Sequence, residues 1–179
     1  MDKLIKIEKV SDIPAIYKET PIGLLLKYHN LHEEFKQYKS AQLLIGMCMD
    51  NRKHLNIPDN FAFIIRTGGA NLRYSEFKVS FAIGVGGVKH IALIGHNNCG
   101  MVNLISKKEI FVDGLVNNAG WSKEAAEEHF QNFAPMHEIG NAADFVASET
   151  MRLRKRYPKI QIAPLMYLVE DNRLYLIEE

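Results

Sequence analysis

The chain has 179 residues, which suits one domain, and its 47% hydrophobic and 24% charged residues are typical of a globular protein. Its 22 basic and 21 acidic residues leave a net charge of +1, so no basic field is present that would attract nucleic acid. No apolar run reaches the roughly 18 residues of a membrane span, and no secretory signal is visible. These absences predict a cytoplasmic protein with no membrane partner.

The first predicted element is a helix that begins at Thr20 and Pro21, because threonine caps helices and proline fits their first position. Apolar residues then recur at helical spacing from Leu24 to Phe35. Residues 1–40 are therefore expected to form an N-terminal helical arm.

Three short apolar runs follow, over residues 41–47, 61–65 and 90–94. Each has strand length and is apolar at nearly every position, which favours parallel strands covered on both faces. A helix is predicted between the second and third strands, with an apolar stripe of Phe77, Phe81, Val85 and Val88. This strand–helix–strand order predicts a right-handed crossover.

The rest of the chain is predicted to hold three helices and a strand pair. The helices cover residues 99–108, a segment capped by Ser122, and residues 138–156. The strands cover residues 160–169 and 174–177 and form a hairpin. The sequence as a whole predicts a single α/β domain over residues 1–179, with a mixed, mostly parallel sheet flanked by helices.

Two polar segments follow predicted strands directly. The first strand leads into Cys48-Met49-Asp50-Asn51-Arg52, and the third leads into Gly95-His96-Asn97-Asn98-Cys99-Gly100. Because ligands bind outside the carboxyl ends of parallel strands, we expect these two segments to meet in space.

The residue types in these segments predict a zinc site. Zinc prefers sulfur and nitrogen ligands in a tetrahedron, and Cys48, His96 and Cys99 offer that set. His96 and Cys99 are three residues apart, so they would share a face at the start of a helix. Three protein ligands leave a fourth position open, which is the pattern of a catalytic zinc site.

Asp50 and Arg52 extend the predicted site. In an extended segment, alternate residues point the same way, so Asp50 would point toward the open position beside Cys48. Asp50 would then reach the metal or its bound water, whereas pairing with Arg52 would hold the carboxylate away from the metal. The two residues are therefore interpreted as a gate for the site.

Other interpretations of these residues remain open. His96 and Cys99 are also compatible with a catalytic thiol pair, although Cys48 and Asp50 would then have no role. A disulfide between Cys48 and Cys99 is disfavoured in a reducing compartment. The histidines outside the site that lie on predicted polar helix faces are interpreted as solvated surface groups; they are His29, His32, His129 and His137.

The segments resemble those of the β-class carbonic anhydrases. That family carries the patterns Cys-x-Asp-Ser-Arg, Arg-Asn-Ala-Gly-Asn and His-Thr-Asp-Cys-Gly, in this order. The chain matches the first and third with the two segments above and the second with Arg66-Thr67-Gly68-Gly69-Ala70-Asn71. The resemblance extends over roughly residues 20–179, and the combined spacing is more specific than any one motif.

The resemblance implies a fold, an activity and roles for named residues. Cys48, His96 and Cys99 would bind Zn²⁺, and Asp50 with Arg52 would orient the nucleophile, Asp50 also serving as an occasional fourth ligand. Gly68 and Gly69 would bring backbone close to the substrate pocket. The reaction would be that of a carbonate dehydratase, a lyase that converts carbon dioxide to bicarbonate and a proton.

The resemblance also implies an oligomer. The family forms homodimers or multiples of them, whose N-terminal helices lie across the partner. The arm over residues 1–40 is therefore expected to pack on a dimer partner.

The chain departs from the family pattern around the metal. Asn97 and Asn98 replace a threonine and an aspartate, which removes a carboxylate beside the site, and Asn51 replaces a serine. This altered shell motivates a second hypothesis, the hydrolysis of carbonyl sulfide or carbon disulfide by the same metal. A third hypothesis is a non-catalytic zinc-binding regulatory protein in which Asp50 stays locked on the metal.

Overall fold

Strands with alternating side-chain directions build the centre of the fold. The computed structural model describes residues 4–178. The strands in these residues are β1 (Leu4–Lys6), β2 (Leu43–Cys48), β3 (Ala62–Thr67), β4 (His90–His96), β5 (Gln161–Leu168) and β6 (Arg173–Ile177). They form one sheet in the order β1-β6-β5-β4-β2-β3, in which β3, β2, β4 and β5 run parallel. The predicted terminal hairpin is confirmed, since β5 and β6 pair antiparallel.

Helices cover the sheet on both faces. The helices of the described residues are α1 (Ala15–Lys18), α2 (Pro21–Leu31), α3 (Glu76–Gly84), α4 (Lys108–Ala119), α5 (Lys123–His137) and α6 (Ala142–Arg156). Helices α4 and α5 pack mainly on each other rather than on the sheet. Alternate strand residues face opposite layers: Ile45 packs with α2, and Leu44 packs with α3 and α6. The predicted α/β domain with a mixed, mostly parallel sheet is therefore confirmed. No helix within residues 4–178 combines the length and apolar character needed to cross a membrane.

The N-terminal helix begins where it was predicted. The Thr20 hydroxyl accepts a hydrogen bond from the backbone N–H of Ile22, and Pro21 takes the first helical position. The helix ends at Leu31 because His32 adopts a left-handed conformation with φ 54°, so Phe35 lies outside it. Helix α2 buries its apolar side in its own chain's core, and packing of the arm on a partner stays a prediction.

Strand β3 and helix α3 expose apolar side chains. Phe63 and Ile64 are exposed because β3 is the edge strand of the sheet, so the expectation that this strand is covered on both faces was wrong for the described chain. On α3, Phe77 and Phe81 point to solvent while Val79 packs in the core. Of the predicted apolar stripe, Phe77, Phe81 and Val85 are therefore exposed, whereas Val88 is buried in the core.

The helix predicted over residues 99–108 is wrong. After β4 the chain makes a turn, a short 3-10 segment over Leu104–Lys107, and only then α4. Asn98 and Asn103 both have φ 52°, and Val102 forms a β-bridge with Ile139, so helical hydrogen bonds cannot start at Cys99. The same bridge delays α6, which begins at Ala142 rather than at residue 138.

Candidate metal centre

The three predicted ligands lie together at the carboxyl edge of the sheet. Cys48 ends β2 and His96 ends the neighbouring parallel strand β4. Cys99 follows in the turn after β4 rather than on a helix. All three side chains are buried, and their ligand atoms lie within 4.8 Å of one another. The group could hold a metal ion.

The donor geometry suits zinc. The two sulfurs lie 3.9 Å apart, and two thiolates at the usual zinc–sulfur length of about 2.3 Å in a tetrahedron lie about 3.8 Å apart. The Nδ1 of His96 is 2.7 Å from the Asn97 carbonyl oxygen, which can only accept, so the proton sits on Nδ1. The buried Nε2 of His96 has no partner within residues 4–178 and presents its lone pair to the two sulfurs.

The cysteine pair carries a negative charge that would attract a cation, because the pKa of Cys48 is lowered. The hydrogen bond between the sulfurs lowers the pKa of Cys48 strongly, and the backbone N–H groups of Asp50 and Gly69 lower it further against the effect of burial. The same hydrogen bond raises the pKa of Cys99. The pair therefore shares one proton, and a divalent metal that binds both sulfurs would displace it.

Gly68 and Gly69 pack closely against Met101 and Ile139 beside the site, so an added Cβ would force these side chains to shift. A Cβ on Gly69 would lie 3.0 Å from the Ile139 Cδ1, and Gly69 also has φ +62°. A Cβ on Gly68 would lie 3.0 Å from the sulfur of Met101. This close approach allows the backbone N–H of Gly69 to reach the Cys48 sulfur.

Asp50 and Arg52 form a bidentate ion pair beside the ligands. The Nη2 of Arg52 lies 2.7 Å from Oδ2 of Asp50, and its Nε lies 3.0 Å from Oδ1. The Arg52 guanidinium holds the pKa of the Asp50 carboxyl well below its usual range. Asp50 Oδ2 is 3.9 Å from Nε2 of His96, so the carboxylate borders the ligand group while it pairs with Arg52.

Arg66, on the edge strand β3, supports the loop that carries Cys48 and Asp50. Its Nη1 donates to the carbonyl oxygens of Cys48 and Asp50 at 3.3 and 3.4 Å, and its Nη2 donates to that of Lys53 at 3.2 Å. Arg66 begins the second motif, but its contacts with this loop follow only from the fold.

Two further charged residues at the site were not predicted. Lys53 is fully buried and donates to the carbonyl oxygen of Asp50 at 3.2 Å. Glu170, in the turn after β5, accepts from the side-chain amides of Asn97 at 2.6 Å and Asn98 at 3.3 Å. Glu170 thus places a carboxylate beside the motif in which Asn98 stands where the family pattern has an aspartate. A contact across 73 residues carries no local signal in the sequence.

A largely apolar cavity of about 390 Å³ begins beside Gly68. Its wall consists of Met49, Gly68, Met101, Leu104, Phe111, His129, Phe130, Phe133, Ala134 and His137. His129 contacts the rings of Trp121 and Phe133 at centroid distances of 5.2 and 4.8 Å. His129 and His137 are therefore half-buried cavity residues, and their interpretation as solvated groups was wrong.

His29 was also wrongly placed on the surface. Its side chain is buried against Tyr167, and its Nδ1 accepts from the backbone N–H of Asn56 at 3.0 Å. Burial lowers the pKa of His29 to about 4. His29 is therefore a neutral core residue near neutral pH.

Comparisons with known proteins agree with this fold. A protein-family model described as "Carbonic anhydrase" matches residues 43–170. The β-carbonic anhydrase isoform I of Trichomonas vaginalis has a similar structure, with a TM-score of 0.65 and 20% identity over 83% of this chain and 90% of that chain. A carbonic anhydrase of Streptococcus mutans is also similar, with a TM-score of 0.61 and 18% identity over 88% of this chain and 95% of that chain.

An apo carbon disulfide hydrolase is also similar in structure, with a TM-score of 0.53 and 23% identity over 78% of this chain and 80% of that chain. At these identities the solved structures establish the fold alone. No curated protein matches the chain by sequence.

Proposed function

The chain belongs to the β-class carbonic anhydrase family, and we propose that it catalyses the reversible hydration of carbon dioxide to bicarbonate and a proton. The observation that carries the proposal is the buried Cys48, His96 and Cys99 group beside the Asp50–Arg52 pair. We propose Zn²⁺ as the metal, because two thiolates and one imidazole are ligands that it prefers. When bound with an open position, zinc acidifies water and supplies a nucleophile at neutral pH.

The side chains around the open position would select and orient the reacting water. Asp50 is ionised because Arg52 lowers its pKa, so its oxygens only accept hydrogen bonds. A ligand beside Asp50 must therefore offer a proton, as water does. Arg52 also donates to the carbonyl oxygen of Asn98 at 2.9 Å, which fixes the guanidinium between the two polar segments.

The experiment that tests this function is a fast-mixing hydration assay with metal analysis on the same sample. We expect one zinc per chain and rapid acidification when carbon dioxide is mixed with the protein. Zinc bound without any hydration from pH 6 to 9 would instead support the non-catalytic regulatory alternative, in which Asp50 binds the metal.

Hydrolysis of carbonyl sulfide or carbon disulfide is the second candidate. The motive for it is the replacement of the family's threonine and aspartate by Asn97 and Asn98 beside the metal group. The apolar cavity beside Gly68 suits small molecules without charge, a property that these two compounds share with carbon dioxide. Release of hydrogen sulfide from either compound, measured on the same zinc-loaded preparation, separates this candidate from carbon dioxide hydration.

We further propose a homodimer in the cytoplasm. Phe77 and Val85 on the α3 side are 82% and 72% exposed, and Phe63 and Ile64 on the edge strand are also exposed. Large apolar surfaces of this kind are typical of interfaces. Sedimentation equilibrium is expected to give twice the chain mass, and Phe77→Glu is expected to shift it to the monomer. The cytoplasmic location stays the prediction made from the sequence.

A further inference from the structure

The cavity beside Gly68 is much larger than the proposed substrate requires. Its volume is about 390 Å³, of which a triatomic molecule such as carbon dioxide fills only a small part. An apolar cavity of about 150 Å³ already holds a benzene ring, and cavities of about 300–1,000 Å³ are usual for small-molecule sites. The cavity therefore accommodates a compound with two fused rings.

Aromatic rings and thioether groups form most of the cavity wall. The ring centroid of His129 lies 4.8 Å from that of Phe133 and 6.1 Å from that of Phe111, distances at which aromatic rings attract one another. Phe133 and Met49 are 47% and 65% exposed, so a ring placed against them would remove apolar surface from water. Methionine sulfur also contacts aromatic rings favourably. The wall therefore favours an aromatic ligand.

The polar groups of the wall favour a ligand without charge. The ten residues of the wall include no lysine, arginine, aspartate or glutamate, so an ionic compound would lose its hydration there without gaining an ion pair with any of these residues. The polar side chains of the wall are His129 and His137, and the described residues provide no hydrogen-bond partner for either imidazole ring.

His137 holds its ring at the end of the cavity nearest the metal centre. Its Nδ1 lies 3.8 Å from the point where a Cβ on Gly68 would stand. A neutral imidazole ring donates through one nitrogen and accepts through the other. His137 therefore offers one hydrogen bond to a compound that lies in the cavity.

We propose that this cavity binds an uncharged aromatic compound of the size of indole. The ring of the compound lies against His129 and Phe133, and its N–H group donates to a ring nitrogen of His137. The compound makes no bond to the metal. The inference therefore goes beyond the proposed function and requires neither zinc nor carbon dioxide.

Indole binding to the full chain, as purified and with its zinc content measured, tests this inference. Isothermal titration calorimetry gives the affinity, and the imidazole NMR signals of His129 and His137 report the place of binding. The second probe is 1-methylindole, which has the same rings but no N–H group to donate.

Three variants and one control separate the parts of the site. Leu104→Trp fills the cavity from its half-buried wall. Ile110→Trp is the matched control, because Ile110 is 77% exposed on α4 and lies outside the wall. Phe133→Leu removes a ring but keeps an apolar side chain, and His137→Phe keeps a ring but removes both nitrogens.

We expect the unchanged protein and Ile110→Trp to bind indole equally well. Leu104→Trp is expected to bind it at least about ten-fold more weakly, because the added ring occupies the same space. Phe133→Leu should bind at least about three-fold more weakly, as the loss of one aromatic pair predicts. The ratio of the affinities for indole and 1-methylindole should fall about five-fold in His137→Phe, the value of one hydrogen bond between neutral groups.

Several results would overturn the inference. The absence of any heat or imidazole shift up to the solubility of indole would remove the site. Full affinity in Leu104→Trp would place indole elsewhere, and if that variant does not fold, Met49→Trp replaces it, because Met49 is an exposed part of the wall. Full affinity in Phe133→Leu would contradict the aromatic class, and an unchanged affinity ratio in His137→Phe would contradict the hydrogen bond.

Two further controls identify a different occupant or place. Indole affinity that falls as the protein concentration rises would mean that a second copy of the chain fills the cavity. Loss of indole binding on removal of zinc would mean that indole binds the metal. Either result overturns the inference.

Failure of the proposed function is distinguishable from failure of this inference. Indole binding with the expected variant effects but without hydration of carbon dioxide would exclude the function and keep the inference. Hydration without indole binding would give the reverse.

Discussion

Gly69→Ala is expected to lower the free energy of unfolding of the metal-free protein. The loss should exceed that of an alanine at a glycine that also has a left-handed conformation but has free space around its Cα. Gly69 has φ +62°, and a left-handed conformation costs an alanine about 1–2 kcal/mol. The added Cβ would lie 3.0 Å from Ile139 Cδ1 and 3.4 Å from Met101 Cβ. Overpacking of a filled site adds about 1–3 kcal/mol, so the free energy of unfolding should fall by about 2–5 kcal/mol in total.

Gly87→Ala is the matched control for this prediction. Gly87 has φ +71°, but a Cβ there would meet nothing within 4 Å. The free energy of unfolding of Gly87→Ala should therefore fall only by the cost of the left-handed conformation, about 1–2 kcal/mol. The difference between the two variants isolates the packing term at the metal centre.

The assay is urea unfolding of both variants without metal, followed by zinc titration of each. Zinc affinity should fall in Gly69→Ala, because a displaced residue 69 no longer brings its N–H to the Cys48 sulfur, and it should not change in Gly87→Ala. Equal losses of stability in the two variants would refute the packing argument, and equal zinc affinities would refute the role of the Gly69 N–H.

Three other predictions concern single side chains. Cys99→Ser should abolish stoichiometric zinc binding, as measured by metal analysis of the folded protein. Asp50→Asn should keep zinc but lower kcat/KM for hydration by about 100-fold or more, since an amide cannot replace an orienting carboxylate. His29→Gln should make the free energy of unfolding depend less on pH in the acid range. Burial lowers the pKa of His29 to about 4, so in the unchanged protein the unfolded chain binds a proton that the folded chain does not. The unchanged protein therefore loses stability as pH drops below about 6.5. Between pH 7.5 and pH 5 this residue should account for about 2 kcal/mol of the loss.

Each of these predictions has an outcome that contradicts it. Zinc retained in Cys99→Ser would remove Cys99 from the ligand set. Full hydration activity in Asp50→Asn would remove the carboxylate from the mechanism. The same pH dependence in His29→Gln as in the unchanged protein would mean that His29 is protonated as readily in the folded state as in the unfolded chain.

The ligand cluster could be predicted because strand order determines it. Cys48 and His96 each end an apolar run, and the carboxyl ends of adjacent parallel strands lie at one edge of the sheet. Thr20 and Ser122 placed two helix starts, because their hydroxyls accept local backbone N–H groups. These signals lie within a few residues of the feature that they predict.

The errors arose where distant parts of the chain decide the structure. The bridge from Val102 to Ile139 overrides the helical pattern after Cys99. Lys53 follows an arginine in a polar segment, and nothing local distinguishes it from a solvated lysine. Glu170 joins Asn97 only because β4 and β5 are neighbours. Burial and long-range pairing are properties of the folded chain. The sequence therefore predicted Cys48, His96 and Cys99 but not the surrounding residues Lys53 and Glu170.

Because Cys48 and His96 lie on separate strands, a metal ion that uses both is expected to bind the folded state far more tightly than the unfolded chain. The two side chains meet only after β2 and β4 have paired, so an unfolded chain offers no preassembled site. By mass action, each ten-fold rise of free zinc above its dissociation constant then adds about 1.4 kcal/mol to the free energy of unfolding. We therefore expect the melting temperature of this protein to rise with the zinc activity of its buffer, and a chelator to lower it while the apolar contacts of the core stay the same.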